Sequence, residues 1–134
     1  MDELLIDAKL ENLDAVLDFI AERLDAVQCP VKQQMRIAIV VEEVYVNIAR
    51  YAYAFGTGPA VVRAAALAND LTIEFEDEGK PYNPLEREDP DITLPAEERK
   101  IGGLGIYMVK HMMDTVEYRR ERNRNILTIR KKLV

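Results

Sequence analysis

The sequence predicts an α+β fold: a two-layer α/β sandwich with one mixed, mostly antiparallel sheet of about five strands and three main helices on one face. Three observations carry this expectation. Residues 60–67 with 71–76, and 115–122 with 125–133, read as strands joined by short turn signals, so each pair makes a hairpin. Three other stretches repeat apolar residues at helical spacing. The resulting order, β-α-α-β-β-loop-α-β-β, lets both hairpins share one sheet while the helices cover a single side of it.

Residues 3–9 alternate, with Leu4 and Ile6 on one side, and form the first strand. Asn12 stands as an N-cap before Leu13, Val16, Leu17, Ile20 and Leu24, an amphipathic helix that runs to about Val27. Pro30 suits the opening of a second helix, because its missing N–H is not needed in a first turn. That helix continues to about Tyr53 and is apolar on almost every side, so it is expected in the core. Residues 55–59 make a turn, and Asn69-Asp70 marks the tip of the first hairpin. The long irregular segment 77–101 holds four of the six prolines and no apolar periodicity; such a loop inside a compact domain points to function. Glycines then open a third helix with Ile106, Val109, Met112 and Met113 on one side, and Asn123-Arg124 tips the closing hairpin.

At 134 residues the chain makes one domain, residues 1–134, long enough to bury about two-thirds of its unfolded surface. A net charge of −6 and a pI near 4.9 argue against direct nucleic-acid binding. Cys29 is the one cysteine, which excludes an internal disulfide and any cysteine-rich metal site and fits a reducing cytoplasm. The first residues lack the basic region of a signal peptide, and no run approaches 18 uncharged apolar residues, so no membrane span is expected.

The second helix carries the first chemical signal. Arg36, Glu43, Asn47 and Arg50 fall at i, i+7, i+11 and i+14, so at about 100° per residue they share one line on an otherwise apolar helix. Burying a carboxylate and an amide without partners costs several kcal/mol, so a ligand, a metal or water in a cleft should meet that line. Asn oxygen is a hard ligand suited to Mg²⁺, and a carboxylate one turn away can act as a general base. A solvated helix face is the other reading. Arg36 and Arg50 are expected to pair with nearby acids. Asp77, Glu78 and Gly79 follow a strand; an Asp there can accept a hydrogen bond from a base amino group, and a glycine lets the chain approach a flat ring. A plain turn is the alternative. Gly102, Gly103, Leu104 and Gly105 lead into a helix whose first N–H groups can hold phosphates. They are neither a P-loop, since the single Gly-Lys at 79–80 precedes Pro81, nor a Rossmann fingerprint, since no strand runs directly into them.

The three signals in this order resemble the gyrase, Hsp90, histidine-kinase and MutL type of ATPase, with its Bergerat-type ATP-binding fold. Glu43-Val-Tyr-Val-Asn47 is similar to the first box, Asp77-Glu-Gly79 to the second, and residues 102–110 to the third. Small size, the run from Gly102 through Met112, Met113 and Asp114 to Tyr118, and the closing residues 125–132 most resemble the bacterial anti-sigma factor serine/threonine kinases, over essentially the whole chain. The resemblance implies ATP and Mg²⁺ as cofactors. It implies Asn47 as Mg²⁺ ligand, Glu43 as catalytic base, Asp77 on the adenine amino group with Gly79 beside the ring, and Thr128 supporting that contact. It also implies that Gly103 and Gly105, in the loop that starts at Gly102 and Leu104, wrap the phosphates beneath an ATP lid over about 84–101. Implied partners are a sigma factor and a small antagonist protein phosphorylated on serine or threonine, with a possible homodimer for which the first strand offers a free edge. A nucleotide-dependent binding module with little transferase activity is the alternative. Two departures stand out: Ile101 sits where the kinases commonly have an arginine, and Tyr51 where they commonly have a histidine.

Overall fold

The computed structural model describes residues 1–67, 69–86 and 103–133, the last stretch with side chains from residue 105 onward. Five strands and three α-helices follow one another as β1 (Asp2–Asp7), α1 (Leu13–Ala26), α2 (Val31–Tyr51), β2 (Pro59–Leu67), β3 (Asp70–Asp77), α3 (Gly103–Met112), β4 (Thr115–Glu121) and β5 (Arg124–Lys132). The sheet order is β1-β2-β3-β5-β4. Every pairing among these strands is antiparallel, so the sheet is not the mixed one expected. Five strands, three helices and their order otherwise match the expectation.

Alternation decides which side of the sheet is covered. Leu71, Ile73 and Phe75 of β3 point one way with Val62 and Ala64 of β2 and Leu127 and Ile129 of β5. Onto this side pack Val16, Ile20 and Leu24 of α1 and Ile37, Val40, Val41, Val44 and Tyr45 of α2. Each fully buried aliphatic side chain contributes about 1.5–3 kcal/mol, so this single cluster holds the helices on the sheet. The other side has no helix in the described residues and is covered by ion pairs instead. Glu76, 7% exposed, accepts from Arg63 at 3.2 Å and from Arg124 at 3.1 Å, and Arg63 also reaches Glu3 at 3.1 Å. Burial disfavours the Arg63 charge, yet its hydrogen bonds to Glu76 and Glu3 outweigh that and hold its pKa above the ordinary value.

Four local expectations need correction. The first strand ends at Asp7 because the buried Tyr45 hydroxyl takes over the chain there, accepting from Lys9 N at 3.1 Å and lying 2.7 Å from Lys9 O. Asn12 precedes α1 but does not cap it; its Nδ2 donates to Asp7 O at 2.8 Å. The last hairpin turns at Arg122 and Asn123, whose φ of 54° and 62° match the paired left-handed residues of a tight two-residue turn. Finally, α2 is not apolar-and-buried all round. Its outer side is open, with Ile39 46% exposed, and neither Arg36 nor Arg50 makes an ion pair among the described residues. Of the segment expected as a lid, 84–86 form a short 3-10 turn, and 87–101 lie outside the described residues.

Asp114, between α3 and β4, ties the two ends of this half together. Its Oδ2 accepts from Lys132 N at 2.6 Å, and its own N–H donates to Arg130 O at 2.9 Å. The Lys132 N–H is the chief cause that lowers its pKa from 3.8; slight burial opposes, and Lys131 and Lys132 add to the lowering. A depressed carboxylate pKa adds stability above the ordinary value and loses it as pH falls through the depressed one. Asp114→Asn should therefore melt below the wild type at pH 7, with the gap closing as acid is added past pH 3.8. A gap that stays constant into acid would contradict this role.

Candidate nucleotide site

The end of β3 and the last turns of α2 enclose a cleft of about 390 Å³. Asn47, Ile48, Tyr51 and Ala52 line it from α2, Phe75 and Asp77 from β3, and Asn125 and Leu127 from β5. Tyr118 of β4, Ile106 of α3 and the segment carrying Lys80, Tyr82 and Pro84 complete the wall. Its lining is apolar apart from a few convergent polar groups, which is the usual make-up of a small-molecule site.

Asp77 is the most constrained of these groups. It is 6% exposed, and its Oδ1 accepts from Gly79 N and from Asn125 Nδ2, both at 2.9 Å. Among the described residues Oδ2 takes no hydrogen bond, so one oxygen anchors the carboxylate and the other is available to a ligand donor. Asn125 does the anchoring because all its own polar capacity is engaged. Nδ2 also donates to Lys80 O at 2.8 Å, while Oδ1 accepts from Tyr118 Oη at 2.6 Å and from Tyr82 N at 3.3 Å. Arg120 holds the same turn by donating to Gly79 O at 2.9 Å.

Gly79 has a different reason from the one expected. A Cβ there would fall on the carbonyl oxygen of Ala52, the residue that also accepts from Lys80 N at 3.2 Å. The bare Cα lets the turn after β3 close against the end of α2; Gly79 does not itself line the cleft.

Asn47 lies within the cleft, half-buried, and its amide has no hydrogen-bond partner among the described residues. Glu43, one turn earlier, is outside that lining. A Cβ at Gly105 would land on Glu43 Oε2, so the carboxylate rests on the first turn of α3, where a negative charge is favoured by the helix dipole. Gly103 opens α3, Gly102 lies outside the described residues, and of Leu104 only its place in the helix is described.

Thr128 does not join this group. In the register it faces Glu74 of β3 and Glu117 of β4, on the ion-paired side of the sheet, while Asn125 faces Asp77. The residue on β5 that supports Asp77 is thus Asn125, which the motif reading missed. The signal was available: successive side chains of a strand point to opposite faces, so Asn125 is in phase with the core residues Leu127 and Ile129, whereas Thr128 is out of phase by one. His111 stands apart too, its ring tilted by 46° against Tyr107 with ring centres 4.2 Å apart.

Comparison with known proteins agrees with this fold. Residues 6–131 match the histidine kinase-like ATPase domain family, and the chain belongs to that family. Among solved structures, the RsbU and RsbW domains of Rv1364c from Mycobacterium tuberculosis align over 99% of this chain with 17% identity and a TM-score of 0.66. The chain spans 33% of that protein. The catalytic domain of histidine kinase ThkA aligns over 99% of this chain and 98% of its own length, with 12% identity and a TM-score of 0.56. Histidine kinase AdeS from Acinetobacter baumannii gives 19% identity and a TM-score of 0.51 over 99% of this chain and 68% of its own. At these identities the structures show the shared fold. No curated protein matches in a sequence search. The family is one of ATPase domains, so this is an ATP-binding chain of the histidine-kinase-like type. Among the described residues no helix is long and apolar enough to cross a membrane.

The Asn125 network sets a test of its own. Asn125→Leu removes one of the two donors to Asp77 Oδ1 and takes the Asn125 partner from the Lys80 carbonyl and the Tyr118 hydroxyl, which should cost about 2–3 kcal/mol in chemical denaturation. Thr128→Val, away from the cleft, should cost less than about 1 kcal/mol. The reverse order would move the structural weight to Thr128.

Proposed function

We propose that this chain is an anti-sigma factor serine/threonine protein kinase, one that binds Mg-ATP, sequesters a sigma factor and phosphorylates a small antagonist protein. The observation that carries this reading is one cleft in which Asn47 and Asp77 both present polar atoms that no described residue partners. The likeness of the fold to a protein whose domains are named RsbU and RsbW supports the particular branch of the family.

Asp77 Oδ2 accepts a hydrogen bond from the adenine amino group, with Asn125 and Gly79 holding the carboxylate in place through Oδ1. Tyr51 and Tyr82, at the cleft wall, offer aromatic faces to the base. Asn47 Oδ1 is the protein ligand for Mg²⁺. Among the described residues no group of three or more His, Cys, Asp or Glu side chains is placed to hold a metal, so an ion here draws its other ligands from phosphate and water. Magnesium supplies charge neutralisation on the phosphate oxygens. The N–H groups of Gly103, Leu104 and Gly105, in the unpaired first turn of α3, serve the phosphates. Glu43 takes the proton from the attacking serine or threonine hydroxyl as its oxygen bonds to the γ-phosphorus and the bond to ADP breaks.

A second reading, a nucleotide-dependent binding module with little transfer, is favoured by one observation. Glu43 rests against Gly105 and does not line the cleft. Labelled ATP separates the two. With Mg²⁺ and a matching antagonist protein, the kinase labels a serine or threonine, and Glu43→Ala slows this by about 100-fold or more while ATP still binds. Binding without any transfer establishes the module. Asn47→Ala should weaken Mg-ATP binding about tenfold or more, with the melting temperature held; a collapse of the fold would make Asn47 structural.

A further inference from the structure

We propose that Tyr53, which stands outside the cleft, is a positioning residue for base recognition: its hydroxyl fixes the turn that aims the Asp77 carboxylate at the amino group of the purine. This inference rests on the adenine contact proposed for Asp77 and adds a residue that acts through it. Tyr53 lies two residues beyond the end of α2 and is half-buried, and it is not among the residues that line the cleft. Its effect on a ligand must therefore pass through another group.

The hydroxyl makes two bonds of opposite sense. Tyr53 Oη accepts from Glu78 N at 2.8 Å and donates to Pro59 O at 2.5 Å. One group thus ties the end of α2 to the first residue of β2 and to the turn after β3. Burial pushes this phenol above its ordinary pKa of 10.0; the Glu78 N–H opposes that, and the charges of Asp77 and Glu78 add to the rise. The hydroxyl therefore keeps its proton at neutral pH, as a group that donates and accepts at once must. Gly58 places the ring: a Cβ there would strike the Tyr53 ring, so the bare Cα is what lets the ring lie where its hydroxyl reaches Glu78.

Two consecutive residues grip the turn on either side of Gly79. Ala52 O accepts from Lys80 N at 3.2 Å, and Tyr53 Oη accepts from Glu78 N. Glu78 N belongs to the planar peptide that joins Asp77 to Glu78, so a fixed partner for that N–H fixes the plane and with it ψ of Asp77. The next N–H along the chain, that of Gly79, donates to Asp77 Oδ1 at 2.9 Å, and Asn125 Nδ2 reaches the same oxygen at 2.9 Å from β5. The carboxylate is thus oriented from the turn and from the sheet together, and Oδ2 is the oxygen left to a ligand donor. Without the Tyr53 acceptor, the Glu78 N–H turns to water and the turn is free to rotate. A hydrogen bond weakens steeply as its angle opens, so such a rotation costs the contact with the amino group while contacts to the ring faces and phosphates are kept.

Calorimetric titration of the whole chain with Mg²⁺ and either ATP or purine riboside triphosphate, which differs only in lacking the amino group, tests this. The wild type should prefer ATP about tenfold or more. Tyr53→Phe should cut that preference about threefold or more by weakening ATP alone, with purine riboside triphosphate binding unchanged. Gly58→Ala, which displaces the ring and leaves the hydroxyl on it, should cut the preference in the same direction. Asp77→Asn should abolish it, and adding Tyr53→Phe to Asp77→Asn should change nothing further, as expected of a residue that acts through Asp77. A preference that survives in both Tyr53→Phe and Gly58→Ala overturns the proposal and leaves the Asp77 contact standing. Equal weakening of both nucleotides also overturns it, because a merely structural role would not spare the one without the amino group. A wild type that binds the two alike overturns the Asp77 contact itself, and the positioning role with it.

Discussion

The cleft exists because the turn after β3 closes directly on the end of α2. Gly79 has no side chain to keep Ala52 away, and Lys80 N reaches the Ala52 carbonyl across the gap. That contact brings Asp77 and Asn47 to two sides of one small space, although they lie 30 residues apart in sequence and on different layers. The helix layer is held by a continuous apolar cluster, so α2 cannot shift to relieve a substitution at this junction without disturbing Val40, Val41 and Val44. The cleft geometry is therefore inherited from core packing as much as from its own residues.

The second constraint is electrostatic. A buried carboxylate is costly unless its oxygens are met, and here Asn125 and Gly79 N meet one oxygen of Asp77. Asn125 in turn is satisfied by Tyr118, Tyr82 and Lys80, so the support reaches from β4 to the segment after β3. The opposite side of the sheet solves a similar problem differently. There Glu76 is nearly buried beneath Arg63 and Arg124, and charge pairing stands in for a covering helix. One sheet thus carries an apolar, ligand-ready face and a charged face, separated by the two-residue alternation of its strands.

Much of this was legible in the residues. The five strands and three helices follow from periodicity and turn chemistry, because alternation and helical spacing report directly on which side is buried. Glu43, Asn47, Asp77 and the glycines at 103 and 105 were visible as motifs. Antiparallel pairing of β1 with β2 was not, because edge pairing depends on where the intervening helices return the chain. The open side of α2 was missed as well: Met35 and Ile39 look like core residues, and only the packing of α1 and α3 around α2 shows them exposed. Thr128 was favoured over Asn125 because motif likeness ignores phase, and a shift of one residue on a strand turns a side chain to the other face.

The central claim is that nucleotide occupies the space between Asn47 and Asp77. Two-dimensional NMR during a titration with Mg-ADP tests it most directly. The account predicts saturable shifts of the Asn47 and Asn125 side-chain amides and of the Gly79 N–H, with Gln33 and Lys131 unmoved. Saturable shifts confined to the hollow around Arg36 and Lys131, with Asn47 and Gly79 silent, would contradict it.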